Sequence, residues 1–298
     1  MIARTFLAAA VAFTMAADSA YVKEINAWRA KHEIDYRRDW VTISGLFFLK
    51  PGENRAGSDA TNDMVLPRSV APSIGTFVLD GTRVRFHPRD GVKVVLDDGT
   101  AVATTIDLRP DGGGPNDHVD VLAVGPLTLS VHKSGQRLAI RGREEHGDAE
   151  RSFLGFHWFP IDAKYRVTAR FIKDPSPHDV VIPNLLGDND TYQTEGVVEF
   201  TLNGRTLRMR PMTTRPGRFY FIFKDATSGH ETYAAARFLY SDLREDGTTV
   251  LDFNEAYNPP CAFNPYTTCP LPPAENRLKV RIPVGEKNYP HHPAKRTD

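Results

Sequence analysis

From Gly75 to Asn254 the chain repeats one pattern, a short run of alternating apolar and polar residues followed by a turn dipeptide. GTFVL, TRVRFH, VKVVL and TAVATTIDL are separated by Asp-Gly turns, and VDVLAV, LTLSVH and RLAIRGR follow. After Phe153 the same grammar continues in YRVTARF, VVEFTL, RTLRMRPM, RFYFIF, TYAAARFLY and TTVLDFN. Alternation with period two puts one face of a strand in a core, and the intervening dipeptides are hairpin turns. Asn203-Gly204 is the strongest of them, because both residues tolerate the positive φ of a type I′ turn. No helical period interrupts the runs, which argues against a βαβ architecture. The expected fold is all-β and antiparallel, a sandwich or a partly closed barrel.

Ahead of the strands, Val22, Ile25 and Trp28 recur at helical spacing in YVKEINAWRAKHEI, which predicts one N-terminal helix. WVTISGLFFL, from Trp40, reads as the first strand, and PGENRAGSDATND after it as a polar loop. A soft boundary is expected at 144–149 within one domain spanning 21–290, and KNYPHHPAKRTD predicts a flexible tail over 291–298.

Arg4, the apolar run Thr5–Ala17 and the small residues of Ala16–Ala20 form the three regions of a cleaved secretory signal over 1–20. The apolar run is shorter than the roughly 20 residues a membrane span needs. The expected location is therefore periplasmic or extracellular, with no membrane span. Lys+Arg and Asp+Glu are equal at 37 each, so no basic surplus is available for a phosphate backbone, and nucleic acid is not an expected partner.

Export changes how the two cysteines read. Cys261 and Cys269 are the only ones, and an oxidising compartment favours pairing them. A two-Cys metal centre needs further ligands, and none is visible nearby. Free, reactive thiols need an activating neighbour, and none is obvious in sequence. GDNDTYQTE, from Gly187, has calcium-like composition but misses the EF-hand spacing and reads as a polar loop. No zinc-protease, nucleophile-elbow, Walker or dinucleotide motif is present, so neither metal nor cofactor is expected.

The chemistry-bearing signal is polar residues threaded through apolar strands near the carboxy end. A six-residue connection Asp242–Gly247 would set Ser241 opposite Thr248, Arg237 opposite Asp252 and Ala235 opposite Asn254; a tight turn at Asp246-Gly247 would destroy that register. An Arg237–Asp252 pair could be a buried bridge or could line a cavity. Asp225 reads as turn chemistry and Arg143 as surface. Asn254, Tyr257 and Asn258 then lead into a proline-stiffened loop, with Asn276 and Glu286 beyond it. Such a loop suits a polar-ligand site or a rigid plug.

DFNEAYNPPCAFNPYTTCPLPPAENRL, followed by GEK, resembles the C-terminal signature of a bacterial and archaeal family, domain of unknown function number sixteen eighty-four. The Trp40–Leu49 run, GFHWFP at Gly155–Pro160 and FKDATSGHETYAAARF at Phe223–Phe238 resemble it too. The resemblance implies one unit from the first helix to Lys287 and carries no mechanism.

The leading expectation is a small polar or anionic ligand held by Arg237, Asn254, Tyr257, Asn258 and Asn276. The rival is a hydrolase or lyase using the carboxylates Asp252 and Glu286, with His157 as a further general-base candidate. A third reading is an envelope interaction module without a pocket, showing an exposed apolar patch.

Overall fold

The computed structural model describes residues 3–111 and 118–290, with side chains from residue 19 onward. The tail expected over 291–298 lies outside the described residues, as do the side chains up to residue 18 of the expected signal segment.

Helix α1 (Ala3–Tyr36) is longer than the predicted element. Neither glycine nor proline separates the expected signal segment from Tyr21, so nothing in the sequence stops the helix there. Its buried face is rotated from the predicted one: Val22 is 39% exposed, and Tyr21, Ile25, Arg29 and Tyr36 are buried. Ser19 and Ala20 are exposed, and Tyr21 is the first buried residue among those whose side chains are described. A π-helical turn, Arg37–Val41, occupies the predicted start of the first strand.

The strands that follow are β1 (Ile43–Phe48), β2 (Gly52–Gly57), β3 (Met64–Val65), β4 (Gly75–Asp80), β5 (Arg83–Pro88), β6 (Val95–Leu96), β7 (Ile106–Leu108), β8 (Val121–Val124), β9 (Leu127–Ser134) and β10 (Arg137–Glu144). They form two five-stranded sheets, ordered β1-β10-β9-β8-β6 and β3-β2-β4-β5-β7. Their shared core includes Phe77, Phe86, Leu122, Leu127, Val131 and Ile140. The predicted polar loop after Pro51 contains β2. Asn54, only 2% exposed, makes that possible by donating to the carbonyls of Lys50, Gly52 and Phe77, which ties β2 to β4.

A short helix, α2 (Asp148–Arg151), lies at the predicted soft boundary. Beyond it come β11 (Arg166–Pro183), β12 (Asn189–Leu202), β13 (Arg205–Met209), β14 (Met212–Arg215), β15 (Arg218–Phe223), β16 (Arg237–Asp242) and β17 (Thr248–Asp252). They form a four-stranded sheet, β13-β12-β11-β17, and a three-stranded one, β14-β15-β16. Asn203 and Gly204, at φ 50° and 73°, make the predicted turn between β12 and β13.

Among the described residues, every pairing between these strands is antiparallel except β2–β3, and the sheets do not close into a barrel. A second core, with Val198, Phe200, Phe221, Phe223 and Phe253, fills the space inside the later sheets. A third lies on the other face of the β14–β16 sheet, where Tyr220, Ile222 and Phe238 meet Tyr257, Cys261 and Cys269. The far half of the β11–β12 hairpin leans onto it through Val180, Ile182 and Tyr192.

Candidate functional site

The loop after β17 is built outward from its own polar side chains. Asp252 Oδ1 accepts from the Asn254 N–H at 3.1 Å and so caps a 3-10 turn, Phe253–Glu255. Pro259 and Pro260 lead into a second turn, Pro260–Ala262. Asn264 Nδ2 donates to the carbonyls of Trp40 and Ile43 at 3.1 and 2.8 Å, and the Leu271 N–H donates to Pro183 O. These bonds fasten the loop to the first strand and to the β11–β12 hairpin.

Cys261 and Cys269 are free thiols, not the expected disulfide. They are nevertheless adjacent, since the Cys261 N–H donates to Cys269 Sγ at 3.2 Å, and burial pushes the Cys261 thiol far above its usual range. The short closed segment already brings the sulfurs together without a covalent bond.

The predicted Arg237–Asp252 pair does not form. The turn between β16 and β17 is tight: Leu243 bridges Thr249, and the Arg244 N–H donates to Thr248 O at 2.8 Å. The two strands then part into different sheets. Arg237 faces Phe223 across β15, while Asp252 faces Arg166 across β11. Arg237 Nη1 donates to Asp225 at 2.7 Å and to Ile282 O at 2.9 Å, and Nη2 donates to Val284 O. With no exposure, this guanidinium is a cross-tie of the core and has no face for a ligand. Asp225 also accepts from Thr227 and from the Ile282 N–H, so it is more than a turn residue.

Two of the predicted asparagines are equally occupied. Asn254 Nδ2 donates to Tyr21, Asp162 O and Asp252, and its Oδ1 accepts from the Asp162 N–H. Asn276 accepts from the Arg210 N–H and donates to the carbonyls of Arg210 and Ile222. Asn258 differs: its Nδ2 donates to Lys287 O at 2.7 Å, but its Oδ1 is sealed in the interior without a partner. His157 is exposed and contributes its backbone carbonyl, to the Lys287 N–H. Arg143, read as surface, is half-buried, and burial lowers its pKa.

The two carboxyls of the rival reading sit in separate environments. Asp252 accepts from the Tyr21 hydroxyl and from Asn254, with Arg166 at 3.6 Å. Glu286 Oε2 accepts from the Asn258 N–H at 2.7 Å and is 1% exposed. Burial raises the Glu286 carboxyl to about 8 against the pull of that hydrogen bond. Glu255, absent from the sequence reading, is raised to about 7 by burial and then by the Asp252 and Glu24 charges.

Of the predicted ligand residues, Tyr257 has company that sequence did not supply. Tyr220 on β15 stacks on Tyr240 of β16 with ring centroids 4.8 Å apart, and it meets Phe238 edge-on at 5.1 Å. Phe238 in turn meets the Tyr257 ring edge-on at 5.9 Å. Tyr192 leans in from β12, and the Arg218 guanidinium lies 5.1 Å from the Tyr240 centroid. Burial raises all four phenols above their usual range. Neighbouring phenols add to the effect on Tyr192, Tyr220 and Tyr257.

Among the described residues no hydrogen bond reaches any of the four hydroxyls, and none is a sealed orphan of the interior. Each therefore opens onto space as a neutral donor. The residues lie on three strands and a loop, and only alternation on β15 and β16 hinted that Tyr220 and Tyr240 share a row.

Residues 151–287 match the family model described as "Protein of unknown function (DUF1684)". The chain is also similar to the solution NMR structure of an uncharacterized protein of Haloarcula marismortui. That likeness has 28% identity over 49% of this chain and 83% of that one, with a TM-score of 0.41. Nothing among curated proteins matches the chain.

Proposed function

We propose that the protein is exported and binds a small, oxygen-rich or anionic molecule at Tyr192, Tyr220, Tyr240 and Tyr257. The observation that carries this reading is the gathering of four neutral phenol hydroxyls with no acceptor among the described residues. Their rings pack in one apolar cluster while their hydroxyls open onto space, which leaves four donors free for a ligand. A ligand rich in carboxylate, phosphate or hydroxyl oxygens would supply the acceptors; the Arg218 guanidinium near Tyr240 is already paired with Asp242 at 2.6 Å, so the phenols and not a free cation would carry recognition. The Cys261–Cys269 segment forms the back wall. Oxidation after export would join the thiols and stiffen that wall, and cleavage within Ala16–Ala20 leaves the packed helix intact from Tyr21.

The test is a thermal-shift screen of polar metabolites against the wild type and the double variant Tyr220→Phe, Tyr257→Phe. A metabolite that raises the melting temperature of the wild type and not of the variant supports the reading. No shift with any metabolite, or an equal shift in both proteins, sinks it.

Glu286 favours a second reading. A carboxyl that titrates near neutrality suits proton transfer, and its charge acts on Tyr257. On that reading Glu286 works with Tyr257, not with Asp252, and a turnover assay of Glu286→Gln separates catalysis from binding.

A further inference from the structure

A different cavity, of about 990 Å³, lies between the two halves of the chain. That is within the range of small-molecule sites. One wall is aromatic: Phe153 and Phe263 meet edge-on at 5.1 Å, and Tyr289 lies 5.7 Å from each. Val65 and Leu154, among the few large apolar side chains open to solvent, stand at its mouth, 48% and 47% exposed. Exposed aliphatic groups at the entrance of an aromatic hollow favour a ligand with an apolar body.

The charges of the lining decide the other end of that ligand. Glu144, Asp148 and Arg151 are its ionisable residues apart from Tyr266 and Tyr289. Arg151 is committed to Asp148 and to the His146 carbonyl. The Glu144 carboxylate has no hydrogen bond or ion pair among the described residues, and Ser44 Oγ, also in the lining, is sealed without a partner. Arg37 stacks on Phe153 at 5.0 Å but is not part of the lining. One unpaired carboxylate in a lining that otherwise offers apolar and aromatic surface would attract the charged head of an organic cation whose body is apolar.

We infer that this cleft is a second binding site, for an amphipathic organic cation with its ammonium head at Glu144 and its apolar body against Phe153 and Phe263. It is independent of the tyrosine site.

Calorimetric titration with hexyltrimethylammonium, hexanoate and hexanol tests it, since the three probes share a chain and differ in head charge. The cation is expected to bind at least ten-fold more tightly than hexanoate. Glu144→Gln should erase that preference and leave hexanol unchanged, while Val65→Trp at the mouth should weaken all three. The Tyr220→Phe, Tyr257→Phe variant should bind the cation as the wild type does, which keeps the two sites distinguishable. The inference is overturned if hexanoate binds as well as the cation, if Glu144→Gln keeps the preference, or if none of the probes binds.

Discussion

Arg237 and Asp225 form an ion pair at 2.7 Å with neither side chain exposed. The carbonyls of Ile282 and Val284 take further donors of the guanidinium, so the pair ties β16 to the segment that leads into Glu286. A buried pair stabilises little relative to an apolar one, yet breaking it strands a charge. Arg237→Met should therefore cost about 3–5 kcal/mol of unfolding free energy in urea titration. The double variant Arg237→Met, Asp225→Leu should recover part of that loss. A single variant as stable as the wild type would show that the guanidinium is not a cross-tie.

The tyrosine hydroxyls predict the opposite stability result. Because they have no acceptor among the described residues, Tyr220→Phe and Tyr257→Phe should each change stability by less than about 1 kcal/mol. Loss of ligand response without loss of stability is the signature to look for. A drop of several kcal/mol in either variant would reveal a protein partner for the hydroxyl.

Glu286 makes stability depend on pH in a definite direction. Its carboxyl is held near 8 in the folded chain, above its value of 4.5 when unperturbed. Between those values the folded chain holds a proton that the unfolded chain has released, so the Glu286 contribution falls as pH rises through that window. Wild type should lose more stability than Glu286→Gln between pH 5 and 8.5, by on the order of a few kcal/mol. Parallel pH profiles for the two proteins would contradict this.

Tyr21, the first buried side chain among those described, makes a prediction about the amino end. The chain cut back to Tyr21 should melt within a degree or two of the full chain. Tyr21→Phe removes the hydroxyl that donates to Asp252 at 2.9 Å and should cost about 1–2 kcal/mol. A large loss on removing residues 1–20 would place structural weight on that segment itself.

The cysteine pair can be read chemically. Protein recovered from an oxidising compartment should show no free thiol after denaturation, and reducing it should cost about 2.5 kcal/mol by loop entropy. Two reactive thiols in that sample would mean that the pair stays reduced.

Alternation and turn chemistry were enough to specify an antiparallel all-β chain, the Asn203-Gly204 hairpin and the N-terminal helix, because these depend on residues a few positions apart. The same signals placed Arg237 on the face it shares with Leu239. They could not say which carboxylate lies opposite, because alternation encodes the side of a strand and not its partner across space. That was settled by a tight turn, which sends β16 and β17 into separate sheets and gives Arg237 to Asp225 and Asp252 to Tyr21 and Asn254. The four tyrosines were out of reach for a related reason. They come from β12, β15, β16 and the final loop, and only the stacking of one layer on another brings their hydroxyls together.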